Sequence, residues 1–263
     1  MEQAEYLVMA EVEGHHWWYG GMRAIAASML DLVYAGRRDL RILDAGCGSG
    51  GNLCFLQRYG SVIGIDLAAE ALALGRGSLQ SDLARASVLA IPFVDASFDL
   101  VTSFDVLYHR AVPDEQAALR EAWRVLRPGG RLLLRLPAYQ FLLRRHDREV
   151  HTRRRYTAGH VRVLLRSSGF VIERCSYINT VLFPLAVAQQ LAERALPSFA
   201  PHGSNLVPPT AALNEALRWP LAAEAAWIAS GRSFPFGLSI VCLARKAQVP
   251  LAHSESNHVS EHA

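Results

Sequence analysis

The segment Arg41-Ile-Leu-Asp-Ala-Gly-Cys-Gly-Ser-Gly-Gly-Asn52 (RILDAGCGSGGN) decides the fold class of this chain of 263 residues. A short apolar run ends in Asp44, and four glycines then fall within six residues. Glycine permits positive φ angles and lets a ligand approach the backbone closely. The helix that follows such a turn presents backbone N–H groups that lack intrahelical partners. The pattern predicts a strand, a glycine turn and a helix, with a ligand site at the carboxyl edge of a parallel sheet.

Short apolar runs alternate with helical patterns along the first two thirds of the chain. This alternation is typical of a parallel sheet with helices on both faces. We therefore predict a doubly wound α/β fold with a seven-stranded, mostly parallel sheet. The predicted strands cover residues 41–44, 61–65, 87–89, 100–104, 131–136, 170–177 and 237–244. The predicted helices in this part of the chain cover residues 51–58, 68–79, 114–126 and 158–168.

The net charge, the cysteine spacing and the length of the apolar runs argue against several classes of protein. The formal net charge is +3 and no long basic run occurs, which gives no support to nucleic-acid binding. The four cysteines are scattered without a CxxC pair, so we expect reduced thiols in a cytoplasmic protein, and neither disulfides nor a metal site. The N-terminus is acidic, and no apolar run reaches the length of a membrane span. We therefore expect neither a signal peptide nor stable membrane insertion.

The glycine turn has two common types of ligand. Dinucleotides need the spacing GxGxxG, whereas Gly46, Gly48 and Gly50 give GxGxG. Asp66 follows at the end of the next predicted strand, where a carboxylate can bind both hydroxyls of a ribose. This combination favours an adenosine-type ligand without a pyrophosphate.

Several segments together resemble the class I S-adenosylmethionine-dependent methyltransferases, over residues 40–177. ILDAGCGSGGN and VIGIDLAAEAL resemble the first two motifs of that family, and IPFVDASFDLVTSFDVLYH resembles its third and fourth strands. LREAWRVLRPGGRLLLRLP resembles its next helix and fifth strand. The resemblance implies a Rossmann-like fold, S-adenosylmethionine as cofactor and methyl transfer as activity.

The resemblance also implies roles for individual residues. Asp66 would hold the ribose hydroxyls, and Leu67 would pack on the adenine. Ser87 and Val88 would flank the adenine, although the family commonly has Asp where Ser87 stands. Phe104, Asp105 and His109 would lie beside the transferring methyl group. The loop around the methionine part and the sugar would consist of Asp44, Gly46, Cys47, Gly48 and Gly50.

The stretch EGHHWWYGGMR at residues 13–23 lies outside these motifs. Its adjacent aromatic residues Trp17, Trp18 and Tyr19 could form a lid over the sulfonium, because aromatic faces attract cations. The same residues could instead pin the N-terminal helix to the core, and the sequence leaves both readings open. Arg23, with Tyr19, is a candidate to bind the cofactor carboxylate.

A second such stretch, HDREVHTRRRY at residues 146–156, follows the fifth strand, where the family binds acceptors. With the WWY segment it resembles a subgroup that acts on small metabolites or on sugar and lipid precursors. Its arginines could bind a carboxylate or phosphate, or form a surface ion-pair network. The substrate candidates are His151, Arg154, Arg155 and Tyr156, and the catalytic candidates are His109, His146, Tyr139, Tyr177 and Asn179.

We predict that the chain is organised in five parts. Residues 180–233 are rich in Ala and Leu, and six prolines divide them, so we expect a helical insertion over the acceptor site. That insertion could roof a pocket, form a homodimer surface or touch a membrane. Glu224 within it needs a partner, and an arginine of 153–155 is our candidate. The other parts are an N-terminal helical lid (1–39), the cofactor-binding core (40–179), the last strand of the core (234–246) and a disordered tail (247–263).

The predicted function is therefore transfer of a methyl group to an O, N or C nucleophile of a small metabolite that carries a carboxylate or phosphate. One alternative is a cyclase that converts S-adenosylmethionine into azetidine-2-carboxylate and methylthioadenosine. Another is a non-catalytic cofactor-binding subunit.

Overall fold

The computed structural model describes residues 11–75, 82–143, 147, 150–195 and 210–247. Within them, seven strands form one sheet in the order β3-β2-β1-β4-β5-β7-β6. Strand β7 pairs antiparallel with β5 and β6, and the other neighbours pair in parallel. The predicted doubly wound, mostly parallel fold is confirmed. The strands are β1 (Leu40–Ala45), β2 (Gly60–Asp66), β3 (Asp82–Arg85), β4 (Phe98–Phe104), β5 (Leu126–Pro137), β6 (Phe170–Ile178) and β7 (Ser239–Lys246).

The third strand was predicted at the wrong place. It covers Asp82–Arg85 rather than 87–89, and as an edge strand it is exposed or half-buried along its length, so its residues lack a clear apolar pattern. Ser87 instead begins a turn, in which its hydroxyl accepts a hydrogen bond from the Leu89 N–H at 3.2 Å. The turn therefore follows the strand and leaves Ser87 at the carboxyl edge of the sheet.

Helices cover both faces of the sheet. Three have N-caps with side-chain hydrogen bonds: His16 accepts from the Trp18 N–H, Asp114 from the Ala117 N–H, and Thr157 from the His160 N–H. The helix after the glycine turn, Leu53–Leu56, is shorter than the predicted helix over residues 51–58. The helices of the described residues are α1 (Trp17–Tyr34), α2 (Leu53–Leu56), α3 (Ala69–Gly75), α4 (Glu115–Val125), α5 (Ala158–Ser167), α6 (Phe183–Ala195) and α7 (Ala211–Ala229).

The core has one apolar layer on each face. Helices α4 and α5 pack on one face, where Leu119 and Leu165 are fully buried. Helices α1 and α7 pack on the other face, where Leu30 and Leu221 are fully buried. The second layer joins the two ends of the chain, because α1 comes before the sheet and α7 lies between its last two strands.

The two described helices of the predicted insertion have different positions. Helix α7 packs on α1 so closely that a Cβ at Gly21 would collide with Leu221. Helix α6 brings Ala186 to the cavity described below. Residues 1–10 of the predicted lid, 196–209 of the insertion and 248–263 of the tail lie outside the described residues. No described helix is long and apolar enough to cross a bilayer.

Candidate active site

A cavity of about 900 Å³ lies at the carboxyl edge of the sheet. Its walls come from the glycine turn after β1, the ends of β2, β4 and β5, and the start of α1. Ligand pockets in proteins have volumes of roughly 300–1,000 Å³, so this cavity has room for a nucleoside-sized molecule and a second small one.

The glycine turn exposes backbone to this cavity. Gly46, Gly48 and Gly50 have φ angles of 90°, 57° and 89°, a region that other residues rarely adopt. A Cβ at Gly46 would also collide with Val106. A Cβ at Gly48 would meet nothing within 4 Å, so open space adjoins the backbone there. The turn is therefore shaped as a ligand cradle.

Asp66 ends β2 with its carboxylate facing the turn. Its Oδ2 accepts a hydrogen bond from the Gly48 N–H and its Oδ1 accepts one from the Ala68 N–H, both at 2.9 Å. A carboxylate oxygen has two lone pairs, so each oxygen can accept one more hydrogen bond. The carboxylate lines the cavity and suits a pair of neighbouring hydroxyls, which is the donor set of a ribose.

Asp44 lies behind the turn and does not line the cavity. It is 1% exposed, and its Oδ1 accepts a hydrogen bond from Thr102 Oγ1 at 2.6 Å, whereas its Oδ2 has no partner. Burial is the main reason why its pKa is raised to about 6, and the nearby negative charge of Asp66 adds to the effect. Asp44 therefore has a structural role next to the turn and does not face the cavity.

The N-terminal segment forms part of the cavity wall. Trp17 and Trp18 are half-buried, pack against the core and also line the cavity, so the two readings of this segment are compatible. The rings of Trp18 and Tyr19 meet edge to face at 4.9 Å. The Trp17 N–H donates to Asn214 Oδ1 at 2.8 Å, so helix α7 holds the segment in place.

Arg135 is a cavity residue that the sequence reasoning missed. It is 7% exposed and ends the apolar run of β5, where it pairs with Asp105 at 2.7 Å. Its guanidinium lies 5.3 Å from the Trp18 ring and 5.1 Å from the Phe104 ring. A charged residue within LLLRLP, at the carboxyl end of a buried strand, was the signal that could have identified it.

His109 also lines the cavity. Its Nδ1 accepts a hydrogen bond from the Ala111 N–H at 3.0 Å, which leaves the proton of the neutral ring on Nε2. Burial, together with the neighbouring His151 and Arg110, lowers the pKa of His109 to about 4. At neutral pH the ring is therefore a neutral hydrogen-bond donor at Nε2. The rings of His109 and His151 are 5.6 Å apart.

The arginines of the loop after β5 already have acidic partners. Arg155 forms two hydrogen bonds with Asp147, at 2.9 and 3.1 Å, and both residues line the cavity. Arg153 and Arg154 pair with Glu115, away from the cavity. The arginines of this loop thus belong to an ion-pair network. Of the three, Arg155 is the one that lines the cavity.

Glu224 is not paired with an arginine, so that prediction was wrong. The carboxylate is 2% exposed and accepts hydrogen bonds from the backbone N–H groups of Asn179 and Val181, at 2.7 and 3.0 Å. Burial raises its pKa. Asn179 has a φ angle of 59°, so Glu224 fixes a strained turn from which Asn179 reaches the cavity.

The structure brings most of the predicted site residues together. Those that line the cavity are Trp18, Tyr19, Arg23, Gly46, Cys47, Gly48, Asp66, Leu67, Ser87, Val88, Phe104, His109, Arg155 and Asn179. The residues that do not line it are Asp44, Gly50, Tyr139, His151, Arg154, Tyr156 and Tyr177.

Three of the residues away from the cavity are tyrosines with structural partners. Tyr139 and Tyr177 stack at 5.2 Å, and the Tyr177 hydroxyl accepts a hydrogen bond from the Ala158 N–H. The Tyr156 hydroxyl donates to Glu115 at 2.9 Å within the core. His146 lies outside the described residues. No group of three or more potential metal ligands occurs in the part of the chain that the structure describes.

Known methyltransferases are similar to this chain in sequence. Residues 43–134 match the family described as a methyltransferase domain. The malonyl-[acyl-carrier protein] O-methyltransferase of Enterobacter lignolyticus is 34% identical over 131 residues, which are 49% of this chain and 51% of that protein. The ubiquinone/menaquinone biosynthesis C-methyltransferase of Pectobacterium atrosepticum is 38% identical over 110 residues, 37% of this chain and 43% of that one.

A solved structure has a similar fold over a larger part of this chain. The phosphoethanolamine N-methyltransferase 2 of Haemonchus contortus, in complex with S-adenosyl-L-methionine, superimposes with a TM-score of 0.60 at 17% identity. The match covers 94% of this chain and 58% of that one. The chain spans about half the length, or less, of the two relatives named above.

Proposed function

We propose that this protein transfers the methyl group of S-adenosylmethionine to a small molecule, since residues 43–134 match a methyltransferase domain family. The observation that carries the proposal is one cavity that is lined both by Asp66 with the glycine turn and by residues at the ends of β4 and β5. We assign Asp66 and the glycine turn to the nucleoside of the cofactor.

The charges of the cavity suit a cationic cofactor. S-adenosylmethionine supplies an electrophilic methyl group on a positively charged sulfonium. Carboxylates outnumber guanidiniums on the walls, and the aromatic faces of Trp18 and Phe104 add attraction for a cation. The charged residues of the walls are Glu13, Asp66, Glu70, Asp105 and Asp147 against Arg23, Arg135 and Arg155.

Beyond the glycine turn and Asp66, the cavity is lined by apolar residues that include Leu142, Val150 and Ala186. Its polar groups there include His109, Thr152 and the Arg155–Asp147 pair. We propose an acceptor with an apolar body and an O, N or C nucleophile that lies near His109. Neutral His109 would donate a hydrogen bond from Nε2, and the cavity would contribute mainly proximity and alignment.

An anionic group on the acceptor is a narrower part of this proposal. Arg155 is the residue that would bind a carboxylate or phosphate from the predicted loop. Because Asp147 already holds its guanidinium in a bidentate pair, the acceptor anion would compete with that pair. We therefore expect acceptors with and without an anionic group to be used.

The protein is proposed to act in the cytoplasm. All four cysteines are free thiols, which is the form that a reducing compartment maintains.

Product analysis tests the function. Purified protein is incubated with S-adenosylmethionine, alone and with a panel of small hydroxyl, amine and enol acceptors, and nucleoside products are identified by mass spectrometry. We expect S-adenosylhomocysteine that depends on the acceptor, and none from boiled protein. Methylthioadenosine above background without an acceptor would instead establish the cyclase. A protein that binds S-adenosylmethionine but releases neither product with any acceptor would favour the non-catalytic subunit.

A further inference from the structure

Two of the four free cysteines face each other across β6 and β7. Cys175 of β6 is the register partner of Cys242 in the antiparallel pair that these strands form. Both side chains pack in the apolar layer that α4 and α5 cover, so both thiols lie on the same face of the sheet. Opposed residues of an antiparallel pair have Cα atoms about 4.5–5.5 Å apart, and disulfides need about 4.4–6.8 Å. The backbone therefore places the two thiols at a spacing that a disulfide can bridge.

The two cysteines differ in access to solvent. Cys242 is completely buried in the sheet, whereas Cys175 is half-buried on β6, which lies at the edge of the sheet. A small oxidant in solution therefore meets Cys175 first. Cys242 can react only with a group that is already beside it.

The surroundings of Cys175 favour its thiolate, which is the reactive form of a cysteine. The guanidinium of Arg162, from α5, donates a hydrogen bond to the Cys175 carbonyl at 3.4 Å, so a positive charge lies nearby. The pKa of the Cys175 thiol is lowered, first because Cys242 donates a hydrogen bond to it and then because of Arg162, although burial opposes both. Burial raises the pKa of Cys242, which stays protonated.

The fold separates this pair from the other two cysteines. Cys47 packs in the apolar layer on the opposite face of the sheet, and Cys54 is exposed on the short helix α2. The competing interpretation is that Cys175 and Cys242 pack merely as small apolar side chains. Packing alone needs no particular reactivity, so the two interpretations differ in what an oxidant does to the folded protein.

We propose that Cys175 and Cys242 form a redox-sensitive dithiol, in which a peroxide oxidises Cys175 and Cys242 then closes a disulfide with it. The Cys175 thiolate attacks one oxygen of hydrogen peroxide, the O–O bond breaks, and the sulfur is oxidised to a sulfenic acid. The released hydroxide takes up the proton that the thiol lost and becomes water. The Cys242 sulfur next attacks the Cys175 sulfur, so that the S–S bond forms and the S–O bond breaks. The second hydroxide takes the Cys242 proton, and two thiols and one peroxide give one disulfide and two waters.

The disulfide would join the two strands between which the helical insertion lies. Strand β6 comes immediately before residues 180–233, and β7 follows them. Asn179, directly after β6, and Ser239, at the start of β7, line the cavity, whereas neither cysteine of the pair does. Oxidation would therefore fix the base of the insertion without altering a side chain of the cavity, and the proposal does not depend on the proposed function.

Peroxide oxidation followed by peptide mapping tests the proposal. Reduced protein, freed of reductant, is treated with hydrogen peroxide, the remaining thiols are alkylated, and linked peptides are identified by mass spectrometry. Free glutathione in a parallel sample shows that the dose oxidises a thiol. The same oxidation in concentrated urea is the control for chain statistics, because loop closure then favours Cys47 and Cys54, which are seven residues apart.

Three variants assign the roles of the two thiols. Cys242→Ala removes the second thiol, Cys175→Ala removes the first, and Cys54→Ala is the matched control at an exposed cysteine. Dimedone, which reacts with sulfenic acids, is added during oxidation. Thermal unfolding checks that each variant is folded, and the peptide map of the wild-type protein decides the proposal on its own if a variant is not.

We expect the folded wild-type protein to form one disulfide, between Cys175 and Cys242, which dithiothreitol reverses. Cys54→Ala should form the same disulfide at the wild-type rate. Cys242→Ala should lose the disulfide completely and carry a dimedone adduct on Cys175, because the sulfenic acid has no thiol to react with. Cys175→Ala should show neither a disulfide nor an adduct on Cys242. In urea the preference for the Cys175–Cys242 link should disappear.

Three results would overturn the proposal. The first is that Cys175 and Cys242 stay fully alkylatable at a dose that oxidises glutathione, which indicates packing alone. The second is a disulfide of the folded protein that joins other cysteines or two chains. The third is a dimedone adduct on Cys242 in Cys175→Ala, which would show that the buried thiol reacts without Cys175.

Discussion

Arg135 and Asp105 form an ion pair where β4 and β5 end, with Nη2 of the arginine 2.7 Å from Oδ2 of the aspartate. Asp105 has a φ angle of 58°, and its N–H donates to the Arg135 carbonyl at 2.9 Å. The guanidinium also contacts the Trp18 ring. The pair therefore joins two strand ends and the N-terminal segment at the cavity wall.

Loss of Arg135 should destabilise the protein strongly. In Arg135→Met the Asp105 carboxylate loses its partner, and breaking a buried ion pair costs about 3 kcal/mol or more. Asp105→Asn combined with Arg135→Met should recover part of this loss, with a coupling energy of about 1 kcal/mol or more. The free energy of unfolding in urea, measured for both single variants and the double variant, checks this.

The Arg37–Asp39 pair is the control. Its two side chains are 52% and 71% exposed, so Arg37→Met should leave the free energy of unfolding close to that of the wild type. Equal effects of Arg37→Met and Arg135→Met would contradict the role of burial in this argument.

Asp66 should dominate cofactor affinity. Asp66→Ala removes both acceptors for the ribose hydroxyls and should raise the Kd for S-adenosylmethionine 10-fold or more, measured by calorimetry. Asp82→Asn, an exposed change at the start of the neighbouring strand β3, should leave the Kd unchanged. Because Asp66 also accepts two backbone N–H groups, thermal unfolding of Asp66→Ala must accompany the titration. Unchanged affinity in a folded Asp66→Ala would refute the assignment of this carboxylate to the ribose.

The sequence predicted the site correctly where a residue type has a specific structural role, such as a glycine at a positive φ angle. Glycines with positive φ and a carboxylate at the end of a strand predicted one side of the cavity, where the structure brings Gly46, Gly48 and Asp66 together. Strand β3 was misplaced because an edge strand needs little apolar character, and the more apolar turn after it was mistaken for the strand.

Long-range partners could not be predicted from the pattern. Glu13 meets Ser49, and Glu224 meets the backbone at Asn179, 45 residues away. Each contact depends on how α1 and α7 pack on the sheet, which apolar periodicity does not specify. The arginine-rich loop illustrates the same limit, because its charges were visible whereas their acidic partners Glu115 and Asp147 could not be assigned.

Stability should depend on pH through Asp44. The pKa of this buried carboxyl is raised from 3.8 to about 6, and such a shift corresponds to about 3 kcal/mol of unfolding free energy. The raised pKa means that the folded state binds the proton more tightly than the unfolded state. The penalty is therefore fully present above pH 6 and is relieved as the pH falls through 6 toward 3.8.

The difference between Asp44→Asn and wild type isolates this effect from the other titrating groups. We expect Asp44→Asn to be the more stable protein at pH 7, by as much as about 3 kcal/mol, and the gap to close by about pH 4. Urea unfolding at four pH values between 4 and 7.5 measures it. A gap that stays constant over this range would show that Asp44 does not titrate there.

Two adjacent glycines of α1 should respond to alanine in opposite directions. A Cβ at Gly20 meets nothing within 4 Å, whereas a Cβ at Gly21 collides with Leu221 of α7. Alanine favours a helix over glycine by about 0.5–1 kcal/mol, so Gly20→Ala should stabilise the protein by about that amount. Gly21→Ala gains the same helix propensity but forces α1 and α7 apart, at a cost of about 1–3 kcal/mol for overpacking.

A second substitution, at Leu221, tests whether the collision with Leu221 is what destabilises Gly21→Ala. Leu221→Ala alone leaves a cavity and should destabilise by about 2–5 kcal/mol. In the Gly21→Ala, Leu221→Ala double variant the new methyl group occupies part of that cavity, so the double variant should be more stable than the sum of the two single effects predicts. Urea unfolding of the four proteins gives the coupling energy. If the two effects simply add, Gly21 and Leu221 are not in contact, and the close packing of α7 on α1 described above is wrong.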